Sequence, residues 1–237
     1  MRENIDFYAD LYQVPAAERA ARIERLYQFS NLGAFEDRLA GQLSGGMKQK
    51  LGLCCALIHQ PEILLLDEPT FGVDPISRRD LWLILEEMVS QGVAVLVTTA
   101  YMDEAERCDH VALLDKGRII AADRPATLQA TMRGQIVSLR ASDTRRAVEL
   151  LKAAPGVRRA TLFGETIHVV MRGRGRERGR EREELQGTGE SQTGGRDWQS
   201  VERALSAAGI VVSEVAEVEA SLEDVFIERV SEGANGR

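Results

Sequence analysis

The chain has 237 residues, 44% hydrophobic and 28% charged, an ordinary balance for a globular protein. Its formal net charge of −7 argues against a nucleic-acid binder, and no run approaches the roughly 20 apolar residues that span a bilayer. Three cysteines without paired spacing and three scattered histidines read as buried thiols and ordinary side chains, not as a disulfide framework or a metal cluster.

Residues 3–29 carry apolar side chains at helical spacing, with Ile5, Tyr8 and Leu11 on one helix, Ile23, Leu26 and Tyr27 on the next, and Pro15 between them. Residues 30–43 read as a loop and a short helix ending at Leu43. Ser44-Gly45-Gly46 opens a helix from about Met47 to Gln60, which Pro61 stops. The run Ile63-Leu64-Leu65-Leu66-Asp67 suits a buried parallel strand. A loop from Pro69 leads to Asp74-Pro75, an N-cap followed by a first-turn proline, and this helix runs to about Gln91 before Gly92. Val93–Thr99 is a second apolar strand and 103–108 a short helix. Val111–Leu114 and Arg118–Ala121 flank the hairpin turn Asp115-Lys116-Gly117. Strands alternating with helices predict an α/β fold with a mostly parallel sheet.

The pattern changes after about Thr131, so a domain boundary is expected at 132/133. Residues 133–230 read as strand, helix, two strands, helix, strand and a final helix, which suits a small ferredoxin-like α+β domain. The stretch 172–196 is rich in Gly, Arg and Glu with almost no apolar residue, and is expected to be a disordered insert. Its arginines alternate with Glu177, Glu181, Glu183 and Glu184 and no aromatic is present to stack on bases, which disfavours RNA binding.

Two short patterns carry chemistry. In Leu43-Ser44-Gly45-Gly46-Met47 the glycines let backbone approach an anion, and the following helix N-terminus supplies free N–H groups and partial positive charge. In Leu66-Asp67-Glu68-Pro69 two acids end a buried strand, where open α/β sheets bind ligands. One carboxylate can hold Mg²⁺ and its neighbour can polarise a water. Alone, each pattern also fits a plain helix cap or a plain strand end.

Together, LSGGMKQKLGLCCALIHQPEILLLDEP resembles the signature-to-Walker-B stretch of the ATP-binding cassette (ABC) family. The likeness continues through TFGVDPISRRDLW, similar to the D-loop and its helix, and VLVTTAYMDEAERCDHVALLDKGRIIA, and covers roughly residues 1–132. The C-terminal region, ending in Ser221-Leu222-Glu223-Asp224-Val225-Phe226, resembles the small domain appended to drug-export members. The resemblance implies a partial P-loop NTPase domain that handles ATP and Mg²⁺. Ser44, Gly45, Gly46 and Met47 would contact the γ-phosphate held by a second nucleotide-binding domain, in tandem or as a dimer. Asp67 would orient Mg²⁺, Glu68 would act as general base, and Asp74 would link the two sites. Membrane-spanning permease subunits would be partners, and the chain would sit peripherally on the cytoplasmic face of the plasma membrane.

Two departures modify that expectation. No lysine follows a glycine anywhere, so the Walker A pattern, GxxxxGK followed by Ser or Thr, is absent from these residues. The N-terminal MRENIDFYADLY resembles the start of the helical segment, so about 90 residues of a usual domain are expected upstream of it, including core strands whose loss would expose apolar surface. The chain by itself is therefore expected to be inactive. The usual TTH also reads Thr98-Thr99-Ala100 here, leaving a degenerate switch position like that of the first half of tandem exporters. The alternative expectation is an inactive fragment that donates its signature motif to a complete partner ATPase. A product that does not fold stably is a further one.

Overall fold

A computed structural model describes residues 1–172 and 196–235. The expected insert at 172–196 lies, apart from its two end residues, outside the described residues. Two compact units are present, Met1–Glu104 and Ala105–Arg237.

The first unit opens with α1 (Arg2–Leu11) and α2 (Ala16–Ser30), and α2 ends on Asn31 in the left-handed conformation at φ 57°. Asn tolerates that region because its short polar side chain bonds locally. Two 3₁₀ turns, Gly33–Phe35 and Ala40–Gln42, lead into α3 (Gly45–Leu57). The apolar stripes of α1 and α2 bury Ile5, Ala9, Ile23, Leu26 and Tyr27, and α3 buries Leu51, Leu53, Cys54, Cys55 and Leu57. Each fully buried Leu or Ile stabilises by about 1.5–3 kcal/mol relative to exposure. Burial raises the Cys54 thiol and pushes Cys55 up to about 11, so both stay protonated near neutral pH.

Strand β1 (Ile63–Asp67) pairs parallel with β2 (Ala94–Thr98), in register from Ile63 opposite Ala94 to Asp67 opposite Thr98. Between them runs α4 (Pro75–Ser90), which packs against β2 and buries Leu81, Trp82, Ile84, Leu85 and Met88. The expected parallel pairing is therefore present. One face of the pair is bare: Ile63 is 63% exposed, Leu65 69% and Leu96 64%. Parallel strands are ordinarily covered on both faces.

The second unit begins with β3 (Val111–Asp115) and β4 (Arg118–Asp123), an antiparallel hairpin. Lys116 and Gly117 form its two-residue turn at φ 49° and 73°, the doubly positive pattern that matches strand twist. The short helix α5 (Met102–Ala105) precedes this hairpin in the chain, and after α6 (Pro125–Gln129) come β5 (Ile136–Ala141), α7 (Thr144–Ala153), β6 (Val157–Phe163), β7 (Thr166–Met171), α8 (Arg196–Ala207), β8 (Val212–Val218) and α9 (Leu222–Asn235). The sheet order is β6-β7-β5-β8, with every neighbouring pair antiparallel. That is the split βαβ arrangement of a ferredoxin-like fold. Its core joins Val137, Leu139, Leu151, Ile167, Val169 and Leu205. Both α6 and β4 pack on α9. Residues 105–132 are thus compact with the second unit, and the division of the chain falls earlier than the change in sequence pattern at 132/133.

The start of α9 is locked by a reciprocal cap. Ser221 Oγ accepts the Asp224 N–H (3.1 Å), and Asp224 Oδ2 accepts the Ser221 N–H (3.0 Å) and hydroxyl (2.8 Å). His168 Nδ1 lies 3.1 Å from the same carboxylate oxygen. Burial pushes the Asp224 carboxyl up, but the His168 and Ser221 hydrogen bonds outweigh it and hold it below the usual range. A depressed folded pKa means the stabilisation is complete above the unfolded value of about 3.9 and is lost as pH falls through the lower folded value. Urea midpoints measured from pH 6 down to pH 2 are expected to drop in that acid range, and Asp224→Asn is expected to flatten the drop. An unchanged acid slope in Asp224→Asn refutes this linkage.

Candidate functional site

Ser44 sits in extended conformation as the N-cap of α3, and its Oγ accepts the Met47 N–H at 3.2 Å. Met47 is half-buried in the first turn, while Ser44 and Gly45 are exposed. Gly46 is buried against the next helix: a Cβ there would fall 2.4 Å from both Cβ and Oγ of Ser77, and 3.5 Å from Asp74 Oδ2. Only glycine allows that approach. Asp74 caps α4 by accepting the Ser77 N–H at 2.9 Å, with Pro75 in the first turn. Those bonds from Ser77 hold the Asp74 carboxyl below its ordinary value. Ser44, Gly45, Gly46 and Asp74 are thus brought together where two helix N-termini meet. The buried Lys50 reinforces this, bonding Asp80 of α4 at 2.7 Å.

A second cluster forms at the C-terminal tips of β1 and β2. Thr98 Oγ1 donates to Asp67 Oδ1 (2.5 Å) and accepts the Glu68 N–H (3.0 Å). Glu68 adopts φ 46°, a left-handed conformation uncommon for a residue with a side chain. Its N–H also reaches the Thr98 carbonyl (3.1 Å), and its Oε2 accepts the Ala100 N–H (3.3 Å). Ala100 therefore acts through its backbone, and its methyl adds no hydrogen bond. Among the described residues no three His, Cys, Asp or Glu side chains converge as a metal site. The Asp67 and Glu68 carboxylates at the strand tips fit Mg²⁺, which takes one or two carboxylates and completes its shell with water and phosphate oxygens.

Sequence reasoning missed the group that ties these tips to α4. Glu104 is buried; its Oε2 accepts Thr70 Oγ1–H (2.9 Å) and Thr99 Oγ1–H (2.6 Å), and its Oε1 lies 2.9 Å from Arg78 Nε. Arg78 also pairs with Asp103, and its guanidinium lies over the Tyr101 ring, 4.3 Å from the centroid. The signal was an acid in YMDEAE at the start of a short helix, which alone reads as a solvated charge.

Phosphate-suited helix ends and paired carboxylates at parallel strand tips are the arrangement of nucleotide-binding α/β domains. The family model described as ABC transporter matches residues 1–71. The chain is 41% identical over 172 residues to the probable multidrug ABC transporter ATP-binding protein YbhF of Escherichia coli, covering 72% of this chain and 30% of that protein. It is 37% identical over 169 residues to the Nod factor export ATP-binding protein I of Burkholderia thailandensis, covering 70% of this chain and 55% of that one. A solved ATP-binding subunit of an ABC transporter aligns at TM-score 0.49 with 28% identity, covering 55% of each chain. The chain is homologous to the ATP-binding domain of ABC transporters. It spans from under a third to about half the length of these relatives. No helix among the described residues is long and apolar enough to cross a membrane.

Proposed function

We propose that the chain forms part of the ATP-handling machinery of an ABC exporter. Ser44, Gly45 and the free amides of α3 face a phosphate of ATP held by a second nucleotide-binding domain. Asp67 is the Mg²⁺ ligand, and Glu68 is the general base, its carboxylate oriented by the Ala100 amide. Bound Mg²⁺ would supply neutralisation of phosphate charge. Asp74 couples the two sites by fixing α4 against the signature turn. The complex works with separate membrane-spanning permease subunits and lies on the cytoplasmic face of the plasma membrane, with no nucleic-acid partner. We assign residues 1–132 to the nucleotide-binding region and 133–230 to an appended ferredoxin-like domain. Export as the direction rests on relatives named for multidrug transport and Nod factor export.

The observation that carries this reading is the seating of Gly46 on Ser77, which holds an exposed phosphate-suited helix end rigidly beside Asp74. Walker A contacts are charge-assisted hydrogen bonds worth about 1.5–3 kcal/mol each, and these 237 residues contain no Gly-Lys pair to make them. The isolated chain is therefore expected neither to hydrolyse ATP nor to bind MgATP at micromolar concentration. Mixed with a Walker-A-bearing subunit from the same host, it is expected to support ATPase activity that Ser44→Arg lowers at least tenfold. Hydrolysis by the chain alone, or indifference to Ser44→Arg, overturns the proposal.

Ala100 favours a second reading, in which the chain only donates its signature turn and its own acid is silent. Glu68→Gln separates the two: lost activity supports Glu68 as base, and retained activity supports the donor role.

A further inference from the structure

We propose that the second unit contains a binding site for a phosphate monoester, outside the nucleotide chemistry described above. A cavity of about 650 Å³ opens there, with Arg133, Arg158 and Arg229 in its wall beside Glu228 and Glu232. Its size falls in the range of small-molecule sites, roughly 300–1,000 Å³, and is larger than a lone phosphate needs.

The charges in the wall are unevenly satisfied. Glu228 is held from two sides, 2.9 Å from Arg158 Nη1 and 3.0 Å from Arg159 Nη1, so it is neutralised twice. Arg158 Nη2 also donates to the Arg133 carbonyl at 2.7 Å, which anchors the 133 segment at the rim. Arg229 reaches Glu232 only at 3.5 Å, and Glu232 is 60% exposed, so that pair is weak. Arg229 Nη2 also donates to Thr131 Oγ1 at 3.3 Å. Arg133 has no carboxylate partner among the described residues. Three guanidinium groups in the wall thus stand against two carboxylates, an excess of one positive charge.

A phosphate monoester carries nearly two negative charges and three acceptor oxygens at neutral pH, and planar guanidinium groups match it in pairs. Thr127 adds a hydroxyl, and the half-buried Met132 offers apolar surface for the organic part. The phosphate could come from a soluble metabolite or from a lipid headgroup, which present the same chemistry.

The test uses the full chain at fixed ionic strength. It is titrated calorimetrically with glycerol 3-phosphate, and sedimented with phosphatidylcholine vesicles with or without phosphatidic acid. Saturable binding of either probe is expected, weakened at least tenfold by Arg133→Gln/Arg229→Gln and unchanged by Ser44→Arg. Binding of glycerol 3-phosphate identifies a soluble source, and binding of phosphatidic acid vesicles alone a headgroup. Arg133→Gln by itself changes an exposed side chain with no carboxylate partner among the described residues, leaves the melting temperature unaltered and is expected to weaken binding in the same direction. No saturable binding of either probe, or equal binding by the variants, overturns the proposal. Because Ser44→Arg leaves this site intact, its failure is distinct from failure of the ATP-handling role.

Discussion

Gly46→Val is expected to destabilise the first unit by about 3 kcal/mol, the upper end of what overpacking costs in a close-packed interior. The new Cβ would stand 2.4 Å from Cβ and Oγ of Ser77. Ser77 cannot swing aside, because its Cβ is fixed to the first turn of α4 and its N–H is held by Asp74 at 2.9 Å. Either α3 or α4 must shift, and the Lys50 to Asp80 bond at 2.7 Å resists that shift. The compensating change is Ser77→Gly, which removes both clashing atoms and is expected to restore most of the loss in Gly46→Ala. The chain has two tryptophans, Trp82 in the first unit and Trp198 in the second. Urea unfolding followed by Trp82 fluorescence in a Trp198→Phe background therefore reports the first unit. Equal midpoints for Gly46→Val and its parent would show that the two helices do not touch as described. The same shift moves Ser44 relative to Asp74, so the supported ATPase activity is expected to fall with stability and to recover with Ser77→Gly.

What the sequence made legible was local. Asp74-Pro75 marked a helix start because capping is decided within one turn, and Asp74 does accept the Ser77 N–H. Asp115-Lys116-Gly117 marked a hairpin turn, and Lys116 and Gly117 do adopt the two adjacent positive φ values of a two-residue turn. The strand and helix order after Ile136 was readable from apolar periodicity, and chain order then left few sheet topologies. The functional weight of Ser44, Asp67 and Glu68 was different. Residue chemistry alone left each ambiguous, and resemblance to a family assigned the roles. Contacts made by tertiary packing stayed hidden. The Gly46 to Ser77 approach joins two helices, Lys50 reaches an acid 30 positions away, and Thr70 reaches one 34 positions away. No local pattern encodes such distances. The packing of α6 on α9 is of the same kind, and it draws 105–132 into the second unit although their sequence continues the family pattern of the first.

Glu104→Ala is expected to cost about 3 kcal/mol, the low end for breaking a buried ion pair. The low end applies because Arg78 is 24% exposed and keeps Asp103 as a partner, so its charge is not stranded. The larger share of the loss comes from Thr70 and Thr99, whose hydroxyls both donate to Glu104. Thr70 lies in the loop that leads from Glu68 to Asp74, and its carbonyl accepts the Val73 N–H at 3.1 Å. Thr99 Oγ1 accepts the Tyr101 N–H at 3.1 Å, next to the Ala100 amide that orients Glu68. One buried carboxylate therefore fixes both sides of the strand-tip cluster, and its loss frees them together. Glu104→Gln keeps an acceptor for the hydroxyls but gives up the ion pair, so its cost is expected to lie between wild type and Glu104→Ala. Hydrogen exchange at the Glu68, Val73 and Ala100 amides is expected to quicken in Glu104→Ala more than at amides of α1, which is far from the cluster in sequence and shares none of its bonds. A uniform quickening would mean a general loss of stability. Slow exchange retained at those three amides would mean that the Thr98 and Asp67 bonds hold the tip without Glu104.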